Sequence, residues 1–340
     1  MAKANRLALS VFVVLSFAAF AAAQSYTVTD LGPGQAFAVN GLGDVVVQPY
    51  PSGNSFVWSP GGKQLSLTPL TAGYPTTPYG INNQGLVVGY SSNGQGFDAA
   101  LWTNGVPLDL GTLDGLPACA GTGINASAEV AGYCFLLDGR TEAFLWTKAT
   151  GMQGLASLQG GGGSIAQAIN RFGQVVGYGP TIAHATPYAF VWSKTTGKAK
   201  NLGKLPGYDS SYAFAINDLG QIAGQSACLN CSLSGHATLW SKTKGSMLDL
   251  GVLPGASESF ASGINNVGQV VGLSYYSATN ELHAFVWSPS TGMLDLNNLI
   301  PANSGWLLQI ANAINDQGQI VGYGVFNGQS TSEAFLLTPQ

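Results

Sequence analysis

A ten-residue pattern that recurs along the chain constrains its fold more than any other feature. It reads INNQGLVVGY at residues 81–90, and variants such as INDLGQIAGQ and INNVGQVVGL follow further on. Two short apolar runs around a polar turn that contains glycine are typical of a β-hairpin. Each copy starts with isoleucine or valine and then asparagine, and the seven asparagines are Asn40, Asn82, Asn125, Asn170, Asn217, Asn265 and Asn315. Their spacing of 42 to 50 residues indicates a repeat protein.

Each copy extends beyond this hairpin. A third apolar strand follows, and in six copies it ends in tryptophan: Trp58, Trp102, Trp146, Trp192, Trp240 and Trp287. The seventh copy has Leu337 at that position. A short polar turn then leads to a strand of the form LDLG, which is clearest at residues 108–111 and 248–251. Every unit therefore holds four short strands and no segment with helical periodicity.

Four strands in about 45 residues match the blade of a β-propeller. The last copy stops at Gln340 after its third strand, and residues 26–32, YTVTDLG, form a DLG strand with no copy before it. We therefore predict an all-β fold: a seven-bladed β-propeller of four-stranded blades, with its ring closed by the N-terminal strand. A linear β-solenoid is the alternative, but it would expose unpaired strand edges at both ends.

The repeated residues have local structural explanations. The asparagine side chain starts a turn and the glycine closes it at positive φ, so Ala128, which replaces that glycine in the third copy, predicts a strained or altered turn. The glycine of VVG predicts a close approach of the neighbouring backbone. We interpret the tryptophans as packing between adjacent blades, with an aromatic ligand cage as the alternative.

The succession A-x-x-I-N-x-x-G-x-V-V-G, H-A-F-x-W and D-L-G-x-L-x-G resembles the bacterial extracellular HAF repeat family. HAFVW at residues 283–287 matches fully and HATLW at 236–240 nearly so, while DLGTLDG at 109–115 carries the third element. The other copies lack the histidine. The resemblance covers essentially the whole mature chain and implies secretion and a repeat array, but no reaction, ligand or catalytic residue.

The first 23 residues have the layout of a secretory signal peptide. Lys3 and Arg6 precede the apolar run 7–20, and three alanines end the segment before Gln24. A retained membrane anchor is the alternative, but the run is shorter than the ~18–20 residues that a span needs. We therefore expect one domain over 24–340, secreted or extracellular, with no membrane span after cleavage. The periplasm and the cell surface are alternative locations.

Composition narrows the range of partners. The formal net charge is −4 and only 8% of the residues are charged, so nucleic acid finds no basic surface to bind. A hydrophobic content of 46% is ample for a folded core. The lysines at positions 194, 198, 200, 204, 242 and 244 are interpreted as a solvated rim, with contact to an acidic polymer as the alternative. We expect a monomer.

The four cysteines fit an oxidising compartment. Cys119 and Cys134 flank the third hairpin almost opposite each other, which predicts a disulfide that stabilises by roughly 2–4 kcal/mol. Cys228 and Cys231 form a single C-x-x-C, which we interpret as a small loop disulfide. A zinc site is the alternative, but with His236 it would have only three of the four ligands it needs. We predict no metal, no cofactor and no catalytic residue.

The variable segments carry the functional prediction. The connections between strands two and three and those between successive blades lie at one end of a propeller, and here they contain tyrosine, asparagine, glycine and serine. The predicted ligand-binding residues are Tyr90, Tyr178, Tyr208, Asp209, Tyr212, Tyr275, Tyr276 and Phe326. We expect a binding module for a polysaccharide or an extracellular protein. A polysaccharide-cleaving propeller enzyme, a structural envelope protein and loops that merely tolerate drift are the alternatives.

Overall fold

A computed structural model describes residues 25–51, 53–113, 118–155, 162–181, 184–230, 234–241 and 246–340. The predicted signal peptide lies outside these residues. Over the described part the chain forms β-strands throughout, with one short 3₁₀ turn at Leu296–Asn298 and no α-helix. None of the described residues belongs to a helix long and apolar enough to cross a membrane.

The strands fall into successive antiparallel units, numbered here from the N-terminus. Units 1 and 2 comprise β1 (Tyr26–Val39), β2 (Val45–Pro49), β3 (Phe56–Ser59), β4 (Lys63–Ser66), β5 (Thr76–Ile81), β6 (Val87–Ser92), β7 (Phe97–Thr103) and β8 (Val106–Asp109). Units 3 and 4 comprise β9 (Ala118–Ile124), β10 (Val130–Phe135), β11 (Thr141–Thr147), β12 (Gly151–Gly154), β13 (Ile165–Ile169), β14 (Gln174–Thr181), β15 (His184–Ser193) and β16 (Lys198–Asn201).

The remaining strands continue the same order. Units 5 to 7 comprise β17 (Ser210–Ile216), β18 (Ile222–Ala227), β19 (His236–Trp240), β20 (Met247–Asp249), β21 (Glu258–Ile264), β22 (Val270–Tyr276), β23 (Glu281–Ser288), β24 (Gly292–Asp295), β25 (Trp306–Ile314), β26 (Ile320–Phe326) and β27 (Glu333–Pro339). Within each unit every strand pairs with the next one along the chain, because tight turns favour antiparallel neighbours.

The long strand β1 belongs to two units. Its second half, from Gly34 to Val39, pairs with β2 and is the inner strand of unit 1. Its first half pairs with β27, with Asp30 opposite Phe335, and is the fourth strand of unit 7. The pairing that the sequence predicts for the N-terminal DLG strand is therefore present. It covers a strand edge that β27 would otherwise expose.

The repeat asparagines link neighbouring units at the turn between the first and second strands. Each is buried, and its Nδ2 donates to the backbone carbonyl of the next repeat asparagine at 2.9–3.1 Å. In unit 5, Asn217 Oδ1 also accepts from the backbone N–H groups of Leu219 and Gln221. Asn315 donates to the carbonyl of Asn40 at 2.9 Å, so the series of hydrogen bonds returns to its starting residue.

Two glycine positions of the repeat have distinct geometric causes. The turn glycine adopts positive φ, for example +73° at Gly85, and Ala128 holds the same region at φ +57°. The third turn therefore keeps its shape and carries the strain of a side chain in that region. A Cβ on Gly272, a glycine of the VVG type, would lie 1.8 Å from the carbonyl oxygen of Phe260. The neighbouring backbone is as close as the sequence predicts.

The tryptophans pack where adjacent units meet. Trp102 of unit 2 is completely buried and contacts Val46, Val57 and Leu67 of unit 1 in one apolar cluster. Its Nε1 donates to the carbonyl of Thr68 at 2.7 Å, so its polar atom is satisfied as well. Burial of these large aromatic surfaces contributes to holding neighbouring sheets together.

The cysteine predictions have two different outcomes. Cys119 and Cys134 form a disulfide between the paired strands β9 and β10, as predicted. Cys228 is also disulfide-bonded. Its predicted partner, Cys231, lies outside the described residues.

Candidate functional site

Every inner strand contains a β-bulge three residues before the repeat asparagine. The seven residues at this bulge position are Phe37, Tyr79, Thr122, Gln167, Phe214, Ser262 and Asn312. A bulge leaves one residue out of the strand pairing and re-aims its side chain. The neighbouring positions repeat from copy to copy, whereas these seven residues include six different amino acids. The bulge position therefore combines a fixed backbone with a variable side chain.

All seven bulge residues line one cavity of about 510 Å³, which we call the funnel. Neighbouring positions of the first and second strands complete its wall with Tyr133, Phe260, Leu273, Ile310 and Tyr323. Because every unit contributes its bulge residue, the funnel lies where the inner strands converge. A second cavity, of about 270 Å³, is lined by the repeat asparagines and the residues beside them. The volume of the funnel falls within the range of small-molecule sites.

The funnel is polar but uncharged. Its twelve lining residues are aromatic, aliphatic, amide or hydroxyl residues, and none carries a formal charge at neutral pH. Burial raises the pKa of Tyr79, Tyr133 and Tyr323 above the ordinary value for tyrosine. Their phenol groups therefore stay protonated and can act as hydrogen-bond donors.

An aromatic wall leads from the funnel to the surface. It consists of Phe37, Tyr79, Tyr90, Phe97, Tyr133 and Phe135. Successive ring centroids lie 4.7–6.0 Å apart, from the pair formed by Tyr90 and Phe97 to the pair formed by Phe97 and Phe135. The wall crosses three units and ends at Phe135, whose exposed fraction is 38%. Tyr90, a predicted site residue, is in the middle of this wall.

A second aromatic cluster joins units 4 and 5. Tyr178 and Tyr212, both predicted site residues, have ring centroids 4.9 Å apart, and Phe214 stacks parallel to Tyr212 at 6.3 Å. Phe214 also lines the funnel, so this cluster continues the funnel on its other side. The three rings border a further cavity of about 400 Å³, together with Leu229 and Gly235.

Two other predicted tyrosines contact the histidines of the HAF-like motifs. Tyr208 lies 6.0 Å from the ring of His236, and Tyr276 lies 4.8 Å from the ring of His283. His283 Nδ1 lies 2.7 Å from the carboxylate of Asp295, and His236 makes the same contact with the DLG aspartate of its own unit. Each histidine–aspartate contact joins neighbouring strands of one unit, and neither tyrosine lines the funnel.

The remaining predicted residues also make local contacts. The carboxylate of Asp209 accepts hydrogen bonds from the backbone of Leu229 and Asn230, which lowers the pKa of Asp209 and fixes the loop around it. The hydroxyl of Tyr275 donates to Asn280 at 3.0 Å. Phe326 packs 5.2 Å from Trp306 within unit 7. Of the eight predicted site residues, only Tyr90, Tyr178 and Tyr212 belong to the aromatic clusters around the funnel.

The sequence-based prediction missed the bulge residues themselves. Phe37, Tyr79 and Phe214 belong to the repeated inner strand, whereas the sequence-based prediction places the ligand-binding residues in the variable connections. A signal was nevertheless present, because position three before the asparagine changes from copy to copy while its neighbours stay small or apolar. Variation inside a repeated frame indicates that the frame does not require a particular side chain there.

Comparison of this chain with known proteins gives information on its fold. No family model and no curated protein matches the sequence. The chain is similar to the crystal structure of oligogalacturonate lyase from Vibrio parahaemolyticus, with a TM-score of 0.59, 11% identity, and coverage of 93% of this chain and 91% of that one.

A second similar structure is a catalytically inactive variant of virginiamycin B lyase from Staphylococcus aureus with quinupristin. Its TM-score is 0.57 at 13% identity, and the alignment covers 92% of this chain and 99% of the lyase. TolB from Acinetobacter baumannii follows with a TM-score of 0.50, 12% identity, and coverage of 93% and 79%. At such low identity these likenesses establish an all-β, propeller-like fold and do not extend to function.

Proposed function

We propose that this chain is an extracellular binding module of the HAF repeat type, built as a closed seven-bladed β-propeller. Its ligand is an uncharged segment of a polysaccharide, held in the funnel. The observation that carries the proposal is the bulge position, where a repeated backbone presents a non-repeated set of side chains to one cavity. Function commonly resides in variable side chains on a rigid scaffold.

Two features support a closed ring of seven blades. The pairing of β1 with β27 supplies the fourth strand of unit 7, and the hydrogen bond from Asn315 to Asn40 joins the last unit to the first. A closed ring brings seven bulge residues to one axis and keeps them there, which is the preorganisation that a binding site needs.

The chemistry of the funnel suits an uncharged sugar. Aromatic rings such as Tyr79 and Phe214 offer flat apolar faces to the C–H surface of a pyranose ring. Gln167, Asn312 and Thr122 offer amide and hydroxyl groups for its hydroxyls. A charged ligand would lose its hydration in the funnel without gaining an opposite charge from the lining residues. We therefore expect it to bind more weakly than an uncharged sugar.

We favour binding over polysaccharide cleavage because the funnel lacks the required acid and base. None of its twelve lining residues is aspartate, glutamate, histidine, cysteine or lysine. Hydrolysis of a glycosidic bond commonly uses two carboxyl groups about 5–10 Å apart. The tyrosines of the funnel do not supply the missing base, because burial raises their pKa values and keeps them protonated at neutral pH.

The experiment screens purified mature protein against neutral and acidic polysaccharides and then measures affinity by titration calorimetry. We expect Tyr79→Ala and Gln167→Ala each to weaken binding of a neutral glycan by about tenfold. Phe172→Ala is the matched control, because Phe172 is 56% exposed and lies on the turn beside a repeat asparagine, away from the funnel.

Three outcomes contradict the proposal in different ways. Unchanged affinity in both funnel variants would place the ligand elsewhere on the molecule. A shortened glycan after incubation with the wild-type protein would favour the enzyme, and absence of binding across the screen would favour a structural envelope protein.

A further inference from the structure

Another cavity, of about 410 Å³, lies between units 4 and 5, and we call it the inter-unit pocket. Its apolar lining includes Val191 and Leu202 from unit 4 and Met247 from unit 5. It shares no lining residue with the funnel. A cavity of this size accommodates a single-ring or medium-chain molecule.

One wall of the inter-unit pocket is Trp240, whose indole N–H has no partner. Trp240 is 4% exposed, and its Nε1 finds no hydrogen-bond acceptor among the described residues. Trp102 occupies the same repeat position between units 1 and 2, where its Nε1 donates to the carbonyl of Thr68. The indole of Trp192 also lacks a described acceptor, but Trp192 lines neither this pocket nor the funnel. Because buried donors in native proteins are nearly always paired, the open cavity beside Trp240 points to an acceptor supplied by a bound molecule.

Two lysines border the same pocket. Lys198 and Lys200 lie on β16 opposite Ser193 and Val191, so both side chains lie on the face of the sheet that carries those pocket residues. Neither lysine forms an ion pair with a described residue, whereas Lys194 pairs with Glu129. Two neighbouring uncompensated positive charges attract a small anion.

Edge strands also carry lysines simply to prevent unwanted strand pairing. Lys63 provides the comparison, because it lies opposite Ser59 on the outer strand of unit 1, as Lys198 lies opposite Ser193. At the interface beside Lys63, between units 1 and 2, the indole N–H of Trp102 has a hydrogen-bond acceptor. The combination of lysines, an apolar cavity and an unpaired indole distinguishes the interface between units 4 and 5 from the one beside Lys63.

We propose that the inter-unit pocket binds a small amphipathic monocarboxylate. Its carboxylate lies beside Lys198 and Lys200, one of its oxygen atoms accepts the Trp240 N–H, and its apolar body contacts Val191, Leu202 and Met247. This site is independent of the proposed glycan site, because the two cavities are lined by different residues.

The experiment measures binding of octanoate, decanoate and 3-phenylpropanoate to the mature protein by equilibrium dialysis, with the corresponding alcohols as uncharged controls. We expect saturable 1:1 binding of at least one carboxylate, about tenfold tighter than its alcohol. The double variant Lys198→Gln/Lys200→Gln should lose that preference, and Trp240→Phe should weaken carboxylate binding severalfold while circular dichroism shows an unchanged fold. Lys63→Gln and Trp102→Phe are the matched controls and should bind like the wild type.

Several results would overturn this assignment. They are absence of saturable binding for all three carboxylates, equal affinity for acid and alcohol, or unchanged affinity in the double lysine variant. If Lys63→Gln weakens binding as much as the double variant, the effect reflects overall charge and the pocket is not the site.

Discussion

Replacing Asn217 by aspartate changes one buried group without changing its shape. The asparagine is 4% exposed, and its Nδ2 donates to the carbonyl of Asn265 at 2.9 Å and to the side chain of Gln221 at 2.8 Å. In Asn217→Asp the donor becomes a carboxylate oxygen that faces both acceptors. Gln221 can rotate its amide and donate instead, but the carbonyl of Asn265 has no such freedom.

The expected cost follows from these contacts. Losing the hydrogen bond to Asn265 costs about 1 kcal/mol, and leaving a buried carboxylate against a carbonyl adds a few more, so we expect a loss of about 3–5 kcal/mol at neutral pH. Burial and the facing carbonyl also raise the pKa of the new carboxyl in the folded protein above its unfolded value of about 3.9. The folded state then binds more protons than the unfolded state, so acidification recovers part of the lost stability.

The assay is urea unfolding of the wild type and of Asn217→Asp at pH 7.5 and pH 4.5. At each pH we compare the unfolding free energies of the two proteins. The difference in unfolding free energy should shrink at the lower pH, because a protonated carboxyl again donates to Asn265. Asn54→Asp is the control, since Asn54 is exposed, and it should show almost no difference at either pH. A penalty below about 1 kcal/mol at pH 7.5, or one that grows on acidification, would refute the role assigned to the repeat asparagine.

Two glycine-related substitutions test the repeat geometry by the same urea assay. Ala128→Gly should stabilise the protein by up to about 1 kcal/mol, because Ala128 has φ +57°. Gly85→Ala should destabilise it by a similar amount, since Gly85 has φ +73° and open space around its missing side chain. No change in the stability of either variant would contradict the strain argument. Gly272→Ala should cost more than about 3 kcal/mol, because its Cβ would lie 1.8 Å from the carbonyl oxygen of Phe260, and a cost equal to that of Gly85→Ala would show that the backbone yields easily.

The sequence predicts the strand order and the first disulfide because both depend on short-range patterns. Asparagine and glycine specify the turn between the first and second strands, and a turn fixes which strands are neighbours. Cys119 and Cys134 lie opposite each other once that hairpin forms. The pairing of residues 26–33 with β27 follows from counting strands, which needs no knowledge of side-chain packing.

The candidate site was harder to predict because it depends on residues from seven copies. The bulge at Tyr79 or Phe214 has no local sequence signature, since the residues around it differ little from an ordinary strand. The ligand-binding prediction was based on the variable connections, but two of its residues, Tyr208 and Tyr276, pack against the histidines of the HAF-like motifs. The unpaired indole of Trp240 was also unpredictable, since whether it finds an acceptor depends on a neighbouring unit and not on its own repeat.

The bulge residues themselves do not all serve the same purpose. Thr122 donates to the carbonyl of Ala166 in unit 4, and Asn312 donates to the carbonyl of Ala36 in unit 1. These two side chains contribute to joining units, so their replacement affects the frame as well as the funnel. Tyr79 contacts unit 1 through its ring, which lies 5.6 Å from that of Phe37, and it hydrogen-bonds to Tyr90 within its own unit. Ligand preference should therefore respond more cleanly to changes at the aromatic bulge residues, because these two hydrogen bonds between units do not involve their side chains.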